Sequence, residues 1–180
     1  MKNVLFCFFS SLLLLSSPAF AEDAPANADA MALATNAFLD KMAMPTLYTC
    51  DGKDVSPKLT WSNVPAKTVT LALVMKDMDA ADGAFYHWVL YNIPKTTTEL
   101  DQGATPPAGA SIALNNFSKA AYSGPCPPKG SAHTYIFTLY ALSSKITLPK
   151  DADGAALVAA LKDHIISQVE LTGIYSRWIQ

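Results

Sequence analysis

The apolar residues of this chain fall into two kinds of run. The first kind is short and unbroken. Val69 to Met75 (VTLALVM) is almost wholly apolar and bounded by polar residues, which predicts a buried strand. His87 to Ile93 (HWVLYNI) is aromatic and β-branched, and Pro94 stops it. Tyr135 to Leu142 (YIFTLYAL) has the same character, and a weaker strand is expected within Ala32 to Leu39. Pro45, Pro57, Pro65, Pro106, Pro107, Pro125, Pro127 and Pro128 fall between these runs and punctuate a loop-rich β fold. The second kind is periodic. Leu157, Leu161, Ile165 and Val169 recur every four residues, with Ala160 and Ile166 beside them, which predicts a helix. Asp151 or Asp153 can cap its start, and Gly173 can end it. Ile174 to Trp178 then reads as an extended return.

One further apolar run changes the picture of where the chain works. Val4 to Leu15 follows the positive Lys2 and precedes Ala19-Phe20-Ala21, a small-x-small cleavage site. It is too short to span a bilayer as a helix, so residues 1–21 read as a secretory signal peptide. Residues 22–31 are alanine-rich and polar and read as a loose N-terminal arm. Residues 32–180 suit one domain with a substantial core. No second run is long enough to cross a membrane. The expected location is periplasmic or secreted.

Composition narrows the partners. The chain carries 13 basic and 15 acidic residues, a net charge of −2, and Lys2 would leave with the leader. No basic stripe exists to neutralise a phosphate backbone, so nucleic acid is excluded as the expected partner. Cys50 and Cys126 remain after cleavage. In an oxidising compartment they have a single possible pairing, and a disulfide is expected, with two free thiols as the alternative.

The polar residues near the strands carry the chemistry. Asp77 and Asp79 directly follow the first strong strand, and His87 opens the second. If the two strands pair as antiparallel neighbours, carboxylates and imidazole share one end of a sheet. His133 stands just before the third strand, two residues from Tyr135 and therefore on the same face. The Gly124-Pro125-Cys126-Pro127-Pro128-Lys129-Gly130 segment leads into it. Such a loop suits backbone donors aimed at an anion.

These motifs, taken in order, resemble the phosphatidylethanolamine-binding protein family, which includes the Raf kinase inhibitor proteins and their small bacterial relatives. The residues that carry the resemblance are Asp77-Met78-Asp79-Ala80, His87-Trp88, and Pro127-Pro128-Lys129-Gly130 before His133-Thr134-Tyr135. Tyr48-Thr49-Cys50-Asp51-Gly52, Val55-Ser56-Pro57, Leu59-Thr60-Trp61 and Tyr91-Asn92-Ile93-Pro94 resemble the bacterial branch in particular. The chain departs from the family at Met78, where the family has proline, and at Thr134, where it has arginine.

The resemblance implies a mainly β fold: a large central antiparallel sheet packed with a smaller one, and few peripheral helices, one near the C-terminus. It implies a surface pocket for a phosphate-type or phospholipid head group, lined by Asp77, Asp79, His87, Trp88, Cys126, Pro127, Pro128, His133 and Tyr135. It implies a binding protein, not an enzyme, with no cofactor and no metal. Two other readings stand beside it. One is a protein-interaction module that inhibits a protease or another partner. The other is a cryptic hydrolase using Ser123 near His133, although no Gly-x-Ser-x-Gly elbow is present.

Overall fold

The computed structural model describes residues 29–81 and 83–178. The expected leader and most of the expected arm lie outside the described residues. Met31, which the sequence reading assigned to the arm, is buried in the core, and the side chain of Asn63 donates to the Ala30 carbonyl. The folded unit therefore starts slightly earlier than expected.

The strands in chain order are β1 (Ala32–Ala34), β2 (Met42–Ala43), β3 (Leu59–Ser62), β4 (Thr70–Asp77), β5 (Phe85–Pro94), β6 (Glu99–Leu100), β7 (Ser111–Ile112), β8 (Ala132–Leu142) and β9 (Ile165–Ser176), with helix α1 (Gly154–Leu161) between the last two. The large sheet has the order β2-β9-β8-β4-β5-β7, and the small one β1-β3-β6. Every pairing is antiparallel except that of β2 with β9. The mainly β fold with two sheets and a helix near the C-terminus is as expected.

β4 lies at the centre of the large sheet, between β8 and β5. Both of its faces are covered, so it is apolar without a break from Leu71 to Met75 and does not alternate there. Leu71, Leu73 and Met75 join one cluster, which includes Leu33, Leu59, Trp61 and Leu100 from the small sheet. Ala72 and Val74 join a second, which includes Leu157 and Leu161 of α1. Trp61 is core, and its indole N–H donates to the Thr97 carbonyl (2.8 Å).

The four-residue repeat misleads beyond Leu161. Asp153 caps α1 as expected, accepting from the Ala156 N–H (2.8 Å). The helix then ends after Leu161, and the chain turns, with the His164 N–H donating to the Leu161 carbonyl (2.8 Å). Ile165 and Val169 belong to β9, which pairs along its length with β8. Two physical reasons overrule the helix. Ile165, Ile166, Val169, Thr172 and Ile174 are β-branched and suit a pleated strand. From Leu171 the period is two, with Leu171, Gly173 and Tyr175 buried and the residues between them half-exposed. Gly173 is no helix stop. It lies where Met44 and Phe38 cross β9 too closely for a Cβ.

Candidate functional site

The expected antiparallel pairing of β4 and β5 is present, with Asp77 opposite Phe85. On the other side of β4, Asp77 is opposite Tyr135 of β8. The end of β4 thus sits between the starts of β5 and β8. A bulge refines this. Lys76 pairs with Tyr86 and Met75 with Trp88, so His87 is the extra residue on β5. A bulge re-aims side chains at a sheet's end. Here Trp88 joins the cluster between the sheets while Tyr86 and Val89 join the opposite one.

A hollow of about 250 Å³ opens at this end of the sheet. Its lining includes Asp77, His87, Cys126, Pro127, Pro128 and His133 from the expected set, together with Phe85, Phe117, Ala80 and Ala81. Three expected residues stand elsewhere. The Asp79 carboxylate accepts from the Thr134 N–H (2.7 Å) and ties the end of β4 to the start of β8. Trp88, carried inward past the bulge, lines a different hollow and meets Tyr122 edge-on. Tyr135 is fully buried behind the imidazoles, 5.2 Å from the His87 ring centre and 6.4 Å from that of His133. Its hydroxyl is buried beside the Asp77 carboxylate, and burial first, then that carboxylate, pushes its pKa up.

The two histidines are held alike. His133 Nδ1 lies 2.7 Å from Asp77 Oδ2. Asp77 Oδ1 accepts from the Asp79 N–H (2.8 Å), so the carboxylate is itself held in place. His87 Nδ1 lies 2.7 Å from the Ser123 carbonyl, and the Ser123 N–H donates back to the His87 carbonyl (3.1 Å). Carboxylate and carbonyl only accept, so Nδ1 carries the proton in both rings. Nε2 is then the remaining nitrogen of each ring. A neutral ring accepts there; a protonated one donates. His87 is only 2% exposed, and this burial, partly opposed by its bond to Ser123, lowers its pKa.

Aromatic edges complete the hollow. Phe85 packs 5.2 Å from the His87 ring and 5.0 Å from Phe117, and Phe117 lies 5.5 Å from His87. Phe85 was legible as a neighbour of His87, two residues before it on the strand. Phe117 sits in a loop that carries no such signal. Ser123 is buried, its Oγ accepts from the Asn115 amide (3.0 Å), and it is absent from the lining. Among the described residues no group of His, Cys, Asp and Glu side chains is arranged to hold a metal ion.

The wall formed by Cys126, Pro127 and Pro128 is laced to the segment around Cys50. The Tyr122 hydroxyl donates to the Tyr48 carbonyl (2.7 Å). The Gly124 N–H donates to Asp54 Oδ1 (2.6 Å), and the Cys50 N–H to the Pro125 carbonyl (3.1 Å). Cys50 and Cys126 form the expected disulfide. Arg177 grips Asp51 with Nε (2.7 Å) and NH2 (2.8 Å), and its NH1 donates to the Pro127 carbonyl (3.2 Å). The guanidinium, then the Tyr175 hydroxyl, holds the Asp51 carboxyl below its ordinary pKa.

Comparison with known proteins places this arrangement in context. Residues 34–176 match the family described as phosphatidylethanolamine-binding protein. A protein named UPF0098 from Methanothermobacter thermautotrophicus is 38% identical over 82% of this chain and 99% of its own. A relative from Mycobacterium tuberculosis named as a lipoprotein, LppC, is 37% identical over 84% of this chain and 75% of its own. The crystal structure of Escherichia coli YbcL, described as a new member of the mammalian PEBP family, superposes with a TM-score of 0.77. It is 32% identical and covers 83% of this chain and 99% of its own.

Proposed function

This chain belongs to the phosphatidylethanolamine-binding protein family, and from that premise we propose that it is an envelope binding protein for a small oxyanion of the phosphate or phospholipid head-group type. The observation that carries the reading is the matched pair of imidazoles at one hollow, each with Nδ1 committed to a fixed acceptor. At neutral pH an Nε2 accepts the O–H of a singly protonated phosphate group. On protonation it becomes a charge-assisted donor to any oxyanion. Binding without turnover is the reading because the nearby Ser123 hydroxyl is taken by the Asn115 amide and Cys126 is held in the disulfide, so neither serves as a free nucleophile. The sequence leader and the lipoprotein-named relative support an address in the cell envelope.

Calorimetric titration with sulfate tests this reading, because sulfate does not change charge over the relevant pH range. His87→Ala and His133→Ala should each weaken binding by about 1.5–3 kcal/mol, the range for hydrogen bonds to charged groups. Wild-type affinity should rise as pH falls below about 6.5, because burial holds the His87 pKa under its ordinary value. Equal affinity in all three proteins would remove the assignment.

A further inference from the structure

Arg177 does not line the hollow, yet it holds the hollow's wall from behind. One edge of its guanidinium meets both oxygens of Asp51, at 2.7 and 2.8 Å, and the Tyr175 hydroxyl donates to the same carboxylate (2.8 Å). NH1 donates to the Pro127 carbonyl (3.2 Å) and also lies 3.6 Å from Cys126 Sγ. The Arg177 backbone is pinned as well, its N–H donating to the Ser131 carbonyl (3.0 Å). A single planar group therefore joins the end of β9, the turn after Cys50 and the wall loop.

The neighbouring disulfide does a different job. It anchors Cys126 to Cys50, while the far side of the wall is held at the Pro128 carbonyl by the Ser131 N–H (3.1 Å) and hydroxyl (2.7 Å). Prolines donate no hydrogen bonds, so Pro127 and Pro128 can be oriented only through their carbonyls and their packing. The Pro127 carbonyl is the atom Arg177 takes.

We propose that Arg177, anchored by Asp51, is a positioning residue for the oxyanion hollow: it sets the Pro127–Pro128 wall against His133. This rests on the binding function proposed above. A lysine cannot replace it, because one ammonium on a flexible stem cannot serve a carboxylate fork and a carbonyl in one plane.

The test is sulfate titration of wild type, Arg177→Ala, Arg177→Lys, Asp51→Asn and the Arg177→Ala/Asp51→Asn double variant. It is combined with imidazole NMR of the same proteins without anion. Arg177→Ala should weaken sulfate by about tenfold, the lower end for residues that orient a binding shell. Arg177→Lys should recover little of the loss. The double variant should lose no more than the worse single one, because the two residues act as a unit. The His133 resonances should shift in Arg177→Ala, while those of the remote His164, beside Ser144, stay in place. Wild-type affinity in Arg177→Ala or in Arg177→Lys would overturn the proposal. If wild type itself fails to bind sulfate, the binding function falls, and the NMR alone decides the positioning role. A shifted His133 with an unmoved His164 would uphold it, and unmoved resonances from both would overturn it.

Discussion

At the scale of the residue, burial and hydrogen bonding divide the work between two histidines that read alike in the sequence. His133 shares its Nδ1 proton with a carboxylate, while His87 gives its proton to a carbonyl and is almost wholly enclosed. Burial disfavours the charged imidazole, so the folded pKa of His87 lies below its unfolded value of about 6.5. The stability this supplies is present above that unfolded value and is lost as pH falls from it toward the folded pKa. In buffers free of oxyanions, urea unfolding should therefore show a steeper fall in stability for wild type than for His87→Phe between pH 7.5 and pH 5. On the proposed binding function, added sulfate should offset part of the fall by holding the protonated ring. Parallel pH profiles for the two proteins would disprove this. The same scale explains the misplaced site residues. Asp79, Trp88 and Tyr135 carry suitable groups, but the Thr134 amide, the bulge at His87 and full burial take them out of the hollow.

Among the elements, the wall loop matters most, because it has no regular structure of its own to hold it. It is held by close approach to the segment around Cys50. A Cβ at Gly124 would meet the Tyr48 carbonyl, the Asp54 carboxylate and the Thr49 Cα, most of it backbone that cannot swing aside. Gly124→Ala should destabilise the protein by about 1–3 kcal/mol, the usual range for overpacking. It should also weaken sulfate binding, because it pushes the wall away from the segment that positions it. Thermal unfolding and titration check both, and an unchanged affinity would show the loop is not set by this contact. The motif around Cys50 was legible as a resemblance only. Its purpose, as the cradle of the loop, appears once the two segments are side by side.

For the whole molecule, the disulfide and the expected leader are both what an oxidising, extracytoplasmic compartment would call for. Cys50 and Cys126 are 76 residues apart, so their bridge restricts the unfolded chain strongly. On the chain-entropy account its loss costs about 4 kcal/mol. Denaturant titration of the oxidised protein against the Cys50→Ala/Cys126→Ala variant should show a loss of that size. Free alkylation of both thiols in the exported protein would show that no bridge forms there. N-terminal sequencing of the exported protein should find Glu22 first, since the apolar run and the Ala-x-Ala site are correctly spaced. A mature protein starting at Met1 would refute export by this signal.

The sequence alone determined what depends on local order. The β-rich class, the buried central strand and its neighbours, the Asp153 cap and the order of the site motifs were all legible, because strand runs, turns and caps are written in adjacent residues. So were six lining residues of the hollow, since Asp77, His87 and His133 sit at strand ends and Cys126, Pro127 and Pro128 in the loop before β8. Only the tertiary structure decided the rest. It turned Ile165 to Thr172 from an expected helix into strand paired with β8, continuous with the extended return expected from Ile174, because pairing a long strand outweighs a four-residue repeat that β-branched residues support poorly. It also placed Arg177 behind the Pro127 carbonyl and Phe117 beside His87. Residues far apart in the chain meet there only because the sheet and its loops close around one end of β4.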